Sequence, residues 1–118
     1  MTSISFFELG VEDADKGRAF YGAMFGWEFE TGPAMQGFGI KTGGVPGGMH
    51  PNDKGVWPYV FFQVEDLDAA LERVQELGGE VQEGFDDDKP ENVAKFGRFK
   101  FCKDDQGSPF GLHEPPKP

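Results

Sequence analysis

Laid over itself with a shift of 53 residues, the chain repeats. VEDADKGRAFYGAMFGWEFE falls on VEDLDAALERVQELGGEVQE, so that Val11, Glu12, Asp13 and Asp15 meet Val64, Glu65, Asp66 and Asp68, Gly26 meets Gly79, and Glu30 meets Glu83. Such a chain must build two similar supersecondary units. Its 118 residues suffice for one domain holding both (1–118), and fall short of two ordinary domains.

Each copy runs through the same local signals: a short aromatic and β-branched run, an acidic cap, an amphipathic helix, and a glycine before the next strand. ISFFELGV and PYVFFQV have the length and residue types of strands. Asp13 and Asp66 are the expected N-caps, because a carboxylate there accepts orphan backbone N–H groups and complements the helix dipole. Leu67, Ala70, Leu71, Val74 and Leu77 form one apolar stripe on the second helix, which Gly78 and Gly79 should end. On the first helix Phe20, Ala23 and Met24 give a shorter stripe, interrupted by Gly17. WEFET, GFGIKT and VPGGMH then read as strands in copy one, and EVQEG, FGRFKFCK and PFGLHE in copy two. FDDDKPENVAKF reads as a polar loop.

The copies also end alike, now with a shift of 63, which sets Gly48, Met49 and His50 over Gly111, Leu112 and His113. The only two histidines are thus repeat-equivalent. The fold class expected is α+β, with tandem βαβββ repeats over about 3–52 and 57–115.

Composition narrows the partners. Eleven basic against 21 acidic residues leave a net charge of −10, which repels phosphate backbones and anionic headgroups, so neither nucleic acid nor a membrane is an expected partner. Cys102 is alone and MTSISFFELG lacks the features of a signal peptide, so the expected location is cytoplasmic. TGGVPGGMH lacks the lysine and following hydroxyl residue of a phosphate loop, and it reads instead as a close backbone approach or bulge.

AFYGAMFGWEF followed by the terminal DDQGSPFGLHE resembles the vicinal oxygen chelate superfamily, which includes glyoxalase I, extradiol dioxygenases and bleomycin-resistance proteins. The resemblance runs from about Ser3 to Pro115. It implies two curved mixed sheets around a cleft that binds a small molecule, and a homodimer as a partner arrangement. In metal-using relatives the ligand positions fall on the first and last strands of each unit, here Phe6, Tyr59, Gly48 and Gly111. None of these offers a carboxylate or imidazole. The usual divalent site is therefore not expected, and no cofactor is.

Strand alternation then selects the pocket. Phe6 brings Glu8 to the same face, Tyr59 brings Phe61 and Gln63, Gly48 brings His50, and Gly111 brings His113. Glu8, His50 and His113 are the candidate catalytic residues, as acid–base groups of a lyase or isomerase of glyoxalase type. The alternative is a displaced site for zinc, nickel or iron on Glu8, His50 and His113, with Glu114 as a further candidate. Against it, two residues along a strand is roughly 6.6 Å, large beside a metal–ligand bond. The principal reading of function is nonetheless a metal-free protein whose acidic, aromatic cleft binds a small planar or cationic molecule, as bleomycin-resistance proteins of the superfamily do, with the lyase or isomerase as the alternative. The histidines also read as strand-end residues bonded to backbone or water. Trp27 and Trp57 are expected to brace the second strand and the linker between copies.

Overall fold

The computed structural model describes residues 2–31, 37–84 and 89–117. Along the chain lie β1 (Ile4–Gly10), α1 (Ala14–Phe25), β2 (Glu28–Thr31), β3 (Phe38–Lys41), β4 (Gly47–His50), β5 (Tyr59–Gln63), α2 (Leu67–Glu76), β6 (Glu80–Val81), α3 (Pro90–Phe96), β7 (Arg98–Lys103) and β8 (Pro109–Glu114). The fold is α+β. It comprises two compact units, the first spanning Phe6–Val60 and the second running from Phe61 onward together with the first residues up to Ser5.

The two units share a plan. In the first the strand order is β2-β3-β4-β1 with β1 and β4 parallel, and in the second it is β6-β7-β8-β5 with β5 and β8 parallel. Glu8 lies opposite Gly48 and Gly10 opposite His50; in the second unit Phe61 lies opposite Gly111 and Gln63 opposite His113. These pairs are related by the shifts of 53 and 63. The repeat is therefore one of register as well as of element order, and register decides which face each side chain takes.

Capping follows the acidic signals. Asp13 accepts from the Lys16 amide and Asp66 from the Ala69 amide, each satisfying one donor of a helix's first turn. Gly26 and Gly78 turn the chain out of α1 and α2 with φ of 71° and 91°, conformations that favour glycine.

Each unit buries its own core on the helix side of its sheet. Leu9, Ile40 and Met49 form the first, with Phe7, Val11, Tyr21, Trp27 and Phe29 around them. Leu67, Cys102 and Leu112 form the second, flanked by residues of the α2 stripe, Ala70, Leu71 and Val74. Leu77, last of that stripe, is exposed.

Three expectations are corrected. The packed face of α1 is Ala14, Gly17 and Tyr21, while Phe20 and Met24 face solvent. Gly17 is the point of contact and no interruption: a Cβ there would lie 2.7 Å from Met49 Sδ, so the missing side chain lets the helix approach the sheet. The second correction concerns the polar segment after β6, where Pro90–Phe96 forms α3, with the proline in the first turn where its missing N–H costs nothing. Phe85 to Asp88 lie outside the described residues. Finally, Trp27 stacks on Tyr21 at 5.9 Å, but Trp57 is 88% exposed and, among the described residues, is packed into neither core.

Candidate functional site

On the face of the first sheet away from α1, a chain of polar groups is built from neighbouring strands. β1 and β4 run parallel with Glu8 opposite Gly48, so Glu8 and His50, two residues further along β4, project on the same side. Glu8 Oε2 accepts from His50 Nδ1 at 2.6 Å. On the other side of the ring His50 Nε2 donates to Asp53 Oδ2 at 2.7 Å, and the Tyr59 hydroxyl donates to the same oxygen at 2.9 Å. All four residues belong to the first unit.

Glycines make room for both carboxylates. A Cβ on Gly48 would collide with Glu8 Oε1 and come within 3.4 Å of Phe6 Cζ, so Phe6 and Glu8 occupy the space above a strand that carries no side chain there. A Cβ on Gly10 would lie 2.5 Å from Asp53 Oδ2. The loop bearing Asp53 is pinned to the β1–α1 connection by three backbone bonds: Val11 N–H to His50 O, Asn52 N–H to Glu12 O, and Asp53 N–H to Val11 O. Asn52 takes φ of 60°, a left-handed conformation that asparagine tolerates better than most residues.

The electrostatics follow from the geometry. With a carboxylate accepting at each ring nitrogen, both nitrogens must donate, and His50 is an imidazolium. Its pKa is raised from 6.5 to about 9, first by the hydrogen bond to Glu8, against the opposing effect of burial. Burial holds the Glu8 carboxyl above its ordinary value, and the bond to His50 only partly offsets this. Asp53 is held below its ordinary value, chiefly by the hydrogen bond from His50. Two carboxylates and one imidazolium leave the group a surplus of one negative charge. It stays open enough to be reached, with 21%, 27% and 28% of the side-chain surface of Glu8, His50 and Asp53 exposed.

In the second unit the equivalent positions carry different chemistry. Where the first copy has Glu8 opposite Gly48, the second has the Phe61 ring over Gly111. Phe61 packs on Phe99 and Phe101, each at 5.2 Å between ring centroids, and Phe99 stacks on the His113 ring at 4.3 Å. His113 Nε2 donates to the Phe96 carbonyl at 2.8 Å, which leaves Nδ1 to accept from the Ser5 hydroxyl at 2.9 Å. The ring is therefore neutral, and burial pushes its pKa below the ordinary value. Two histidines that are alike in sequence thus end with opposite protonation, because carboxylates take both ring nitrogens in one copy, whereas a hydroxyl and a backbone carbonyl take them in the other.

The candidate residues accordingly divide. Phe6, Glu8, His50 and Tyr59 lie in the first unit, where Glu8, His50 and Tyr59 join one hydrogen-bonded chain. Phe61, Gln63 and His113 belong to the second unit. Glu114 turns away: its Oε1 accepts from the Leu67 amide and caps α2. As a metal set these residues do not fit. Glu8 and Asp53 bind opposite nitrogens of one ring, and His113 presents its nitrogens to a hydroxyl and a carbonyl. Among the described residues no three His, Cys, Asp or Glu side chains are grouped to share an ion.

Asp53 escapes a reading by repeats. The shift of 63 pairs it with Pro116, so nothing in the second copy marks it. A signal exists in the spacing His50-Pro-Asn-Asp53 together with a glycine, Gly10, at the end of β1.

Comparison with known proteins agrees with the topology. A family profile described as "Glyoxalase-like domain" matches residues 6–113. The putative glyoxylase CFP32 of Mycobacterium bovis and that of Mycobacterium tuberculosis are each 27% identical over 122 aligned residues, covering 89% of this chain. The chain spans only 42% of the length of these relatives. Among solved structures, methylmalonyl-CoA epimerase from M. tuberculosis superposes with a TM-score of 0.65 at 19% identity, over 98% of this chain and 88% of that one. The hypothetical protein BH1468 from Bacillus halodurans gives 0.71 at 12% identity, over 99% and 96%. At these identities the structural likeness speaks for the fold alone. Among the described residues no helix is long and apolar enough to cross a membrane.

Proposed function

The chain belongs to the glyoxalase-like domain family of the vicinal oxygen chelate superfamily, and within that family we propose that it is a small-molecule-binding protein whose polar anchor is Glu8, held by His50. The observation that carries this reading is the carboxylate–imidazolium–carboxylate chain. Its negative surplus is partly open to solvent and lies beside the rings of Phe6 and Tyr59. A ligand that answers this surface is a small planar cation, its N–H groups donating to Glu8 and its face against an aromatic ring. The net charge of −10 favours its approach.

Calorimetric titration with benzamidine and phenylguanidine tests the proposal. Binding should be tighter than about 1 mM, equivalent to roughly 4 kcal/mol, and should be lost in Glu8→Gln. No heat from any such cation at millimolar concentration would contradict it.

A second reading is favoured by the raised proton affinity of Glu8, which suits a general base abstracting a proton beside a carbonyl, as in a lyase or isomerase of glyoxalase type. It predicts exchange of that C–H proton of a thioester or thiohemiacetal with deuterium oxide, abolished in Glu8→Gln. The absence of exchange in the unmodified protein would leave binding as the function.

A further inference from the structure

We propose that Asp53 is a positioning residue: through the far nitrogen of His50 it fixes that ring as a double donor, and thereby fixes which oxygen of Glu8 is left to meet a ligand. This goes beyond the proposed function and holds whatever the ligand is.

Three observations converge on it. Asp53 reaches the ring only because β1 ends in Gly10, whose missing side chain leaves the space its carboxylate occupies. Its loop is set by backbone bonds to Val11 and Glu12, so the carboxylate is placed before any ligand arrives. And Asp53 Oδ2 accepts from both His50 and Tyr59, which gives it two reasons to remain ionised and in place. The titratable groups facing the imidazole are Glu8 from β1, Asp53 from the loop after β4, and Tyr59 from β5. With Asp53 ionised the ring's Nε2 keeps its proton, and with Glu8 ionised as well Nδ1 donates to Glu8 Oε2. Glu8 Oε1 is then left over Gly48.

The second copy shows what a first strand without these features leaves. Gln63 stands where Gly10 would be, Phe61 where Glu8 would be, and Pro116 where Asp53 would be; His113 there is neutral and bonded to a hydroxyl and a carbonyl. Glycine, glutamate and aspartate therefore make one device, present in one copy only. Asp53 need not touch the ligand to act.

The test is a titration of the His50 ring by long-range 1H–15N NMR in the unmodified protein, Asp53→Asn, Asp53→Glu and Gly10→Ala. In the unmodified protein both ring nitrogens should be protonated at neutral pH. The asparagine variant should bind the proton at least tenfold more weakly, with dispersed amide signals showing that the fold is kept. Glutamate at position 53 should recover part of the loss, which a merely structural role would not predict. Gly10→Ala, which displaces Asp53 and removes no charge, should shift the titration in the same direction, and it decides the matter if the asparagine variant does not fold. An unchanged His50 titration in a folded Asp53→Asn or Gly10→Ala variant overturns the proposal.

Discussion

Replacing His50 with glutamine removes the titrating group that joins Glu8 to Asp53, and the pH dependence of stability should report the loss. The folded imidazole has a pKa of about 9 against 6.5 without its partners. Because the folded value is the higher, the stabilisation is fully present below pH 6.5 and is lost as pH rises through about 9. At about 1.4 kcal/mol for each tenfold change in proton affinity, the gap corresponds to an upper bound of about 3 kcal/mol. Water reaches all three side chains and screens them, and ionised Glu8 carries a burial cost of its own. The net fall should be about 1–2 kcal/mol. Urea unfolding at steps from about pH 6 to 9.5 measures it. The unmodified protein should lose that stability across the window, and His50→Gln should be flatter by the same amount. The Cys102 thiol, pushed up by burial, titrates in both proteins and cancels. An unmodified protein that is flat across the window, or a variant that falls as steeply, would refute an imidazolium between ionised carboxylates.

Other outcomes follow from the same geometry. Gly48→Ala places a methyl group against the Glu8 carboxylate and should cost about 1–3 kcal/mol in urea unfolding through the displaced hydrogen bond, with benzamidine binding lost; unaltered stability and binding would place Glu8 elsewhere. His113 has the opposite sign. Its folded pKa is depressed, so its contribution is present above pH 6.5 and lost as pH falls below that value, and His113→Gln should soften the acid limb of the unmodified protein while leaving the alkaline limb intact. Asp66→Ala removes the side-chain cap of α2 and should lower stability by about 1 kcal/mol in the same assay.

Much of this was legible from the sequence where a local rule has one physical solution. The caps Asp13 and Asp66, the glycine exits at Gly26 and Gly78, and the alternation putting Phe6, Glu8, Gly48 and His50 on one face all follow from hydrogen-bond satisfaction and strand pleat. What was not legible depended on contacts distant in sequence. Gly17 looked like a break in the α1 stripe because its partner, Met49, lies on another element. α3 is a single short helix with too little apolar periodicity to stand out from the polar segment around it. Gly48 and Gly111 could be read as positions without a ligand atom, but not as seats for side chains from the neighbouring strand. Asp53 lies in a loop that the repeat does not cover, so its meeting with His50 emerges only when β1 and β4 are paired.

Carboxylates at both nitrogens of one ring, and a hydroxyl and a carbonyl at those of the other, drive two repeat-equivalent histidines to opposite protonation. With only two histidines in the chain, one spectrum tests it directly: long-range 1H–15N correlation of the imidazoles near pH 7.5, with His113→Gln supplying the assignment. One ring, His50, should be protonated at both nitrogens, and the other, His113, neutral and protonated at Nε2 alone. Two neutral rings, or two imidazolium rings, would contradict it.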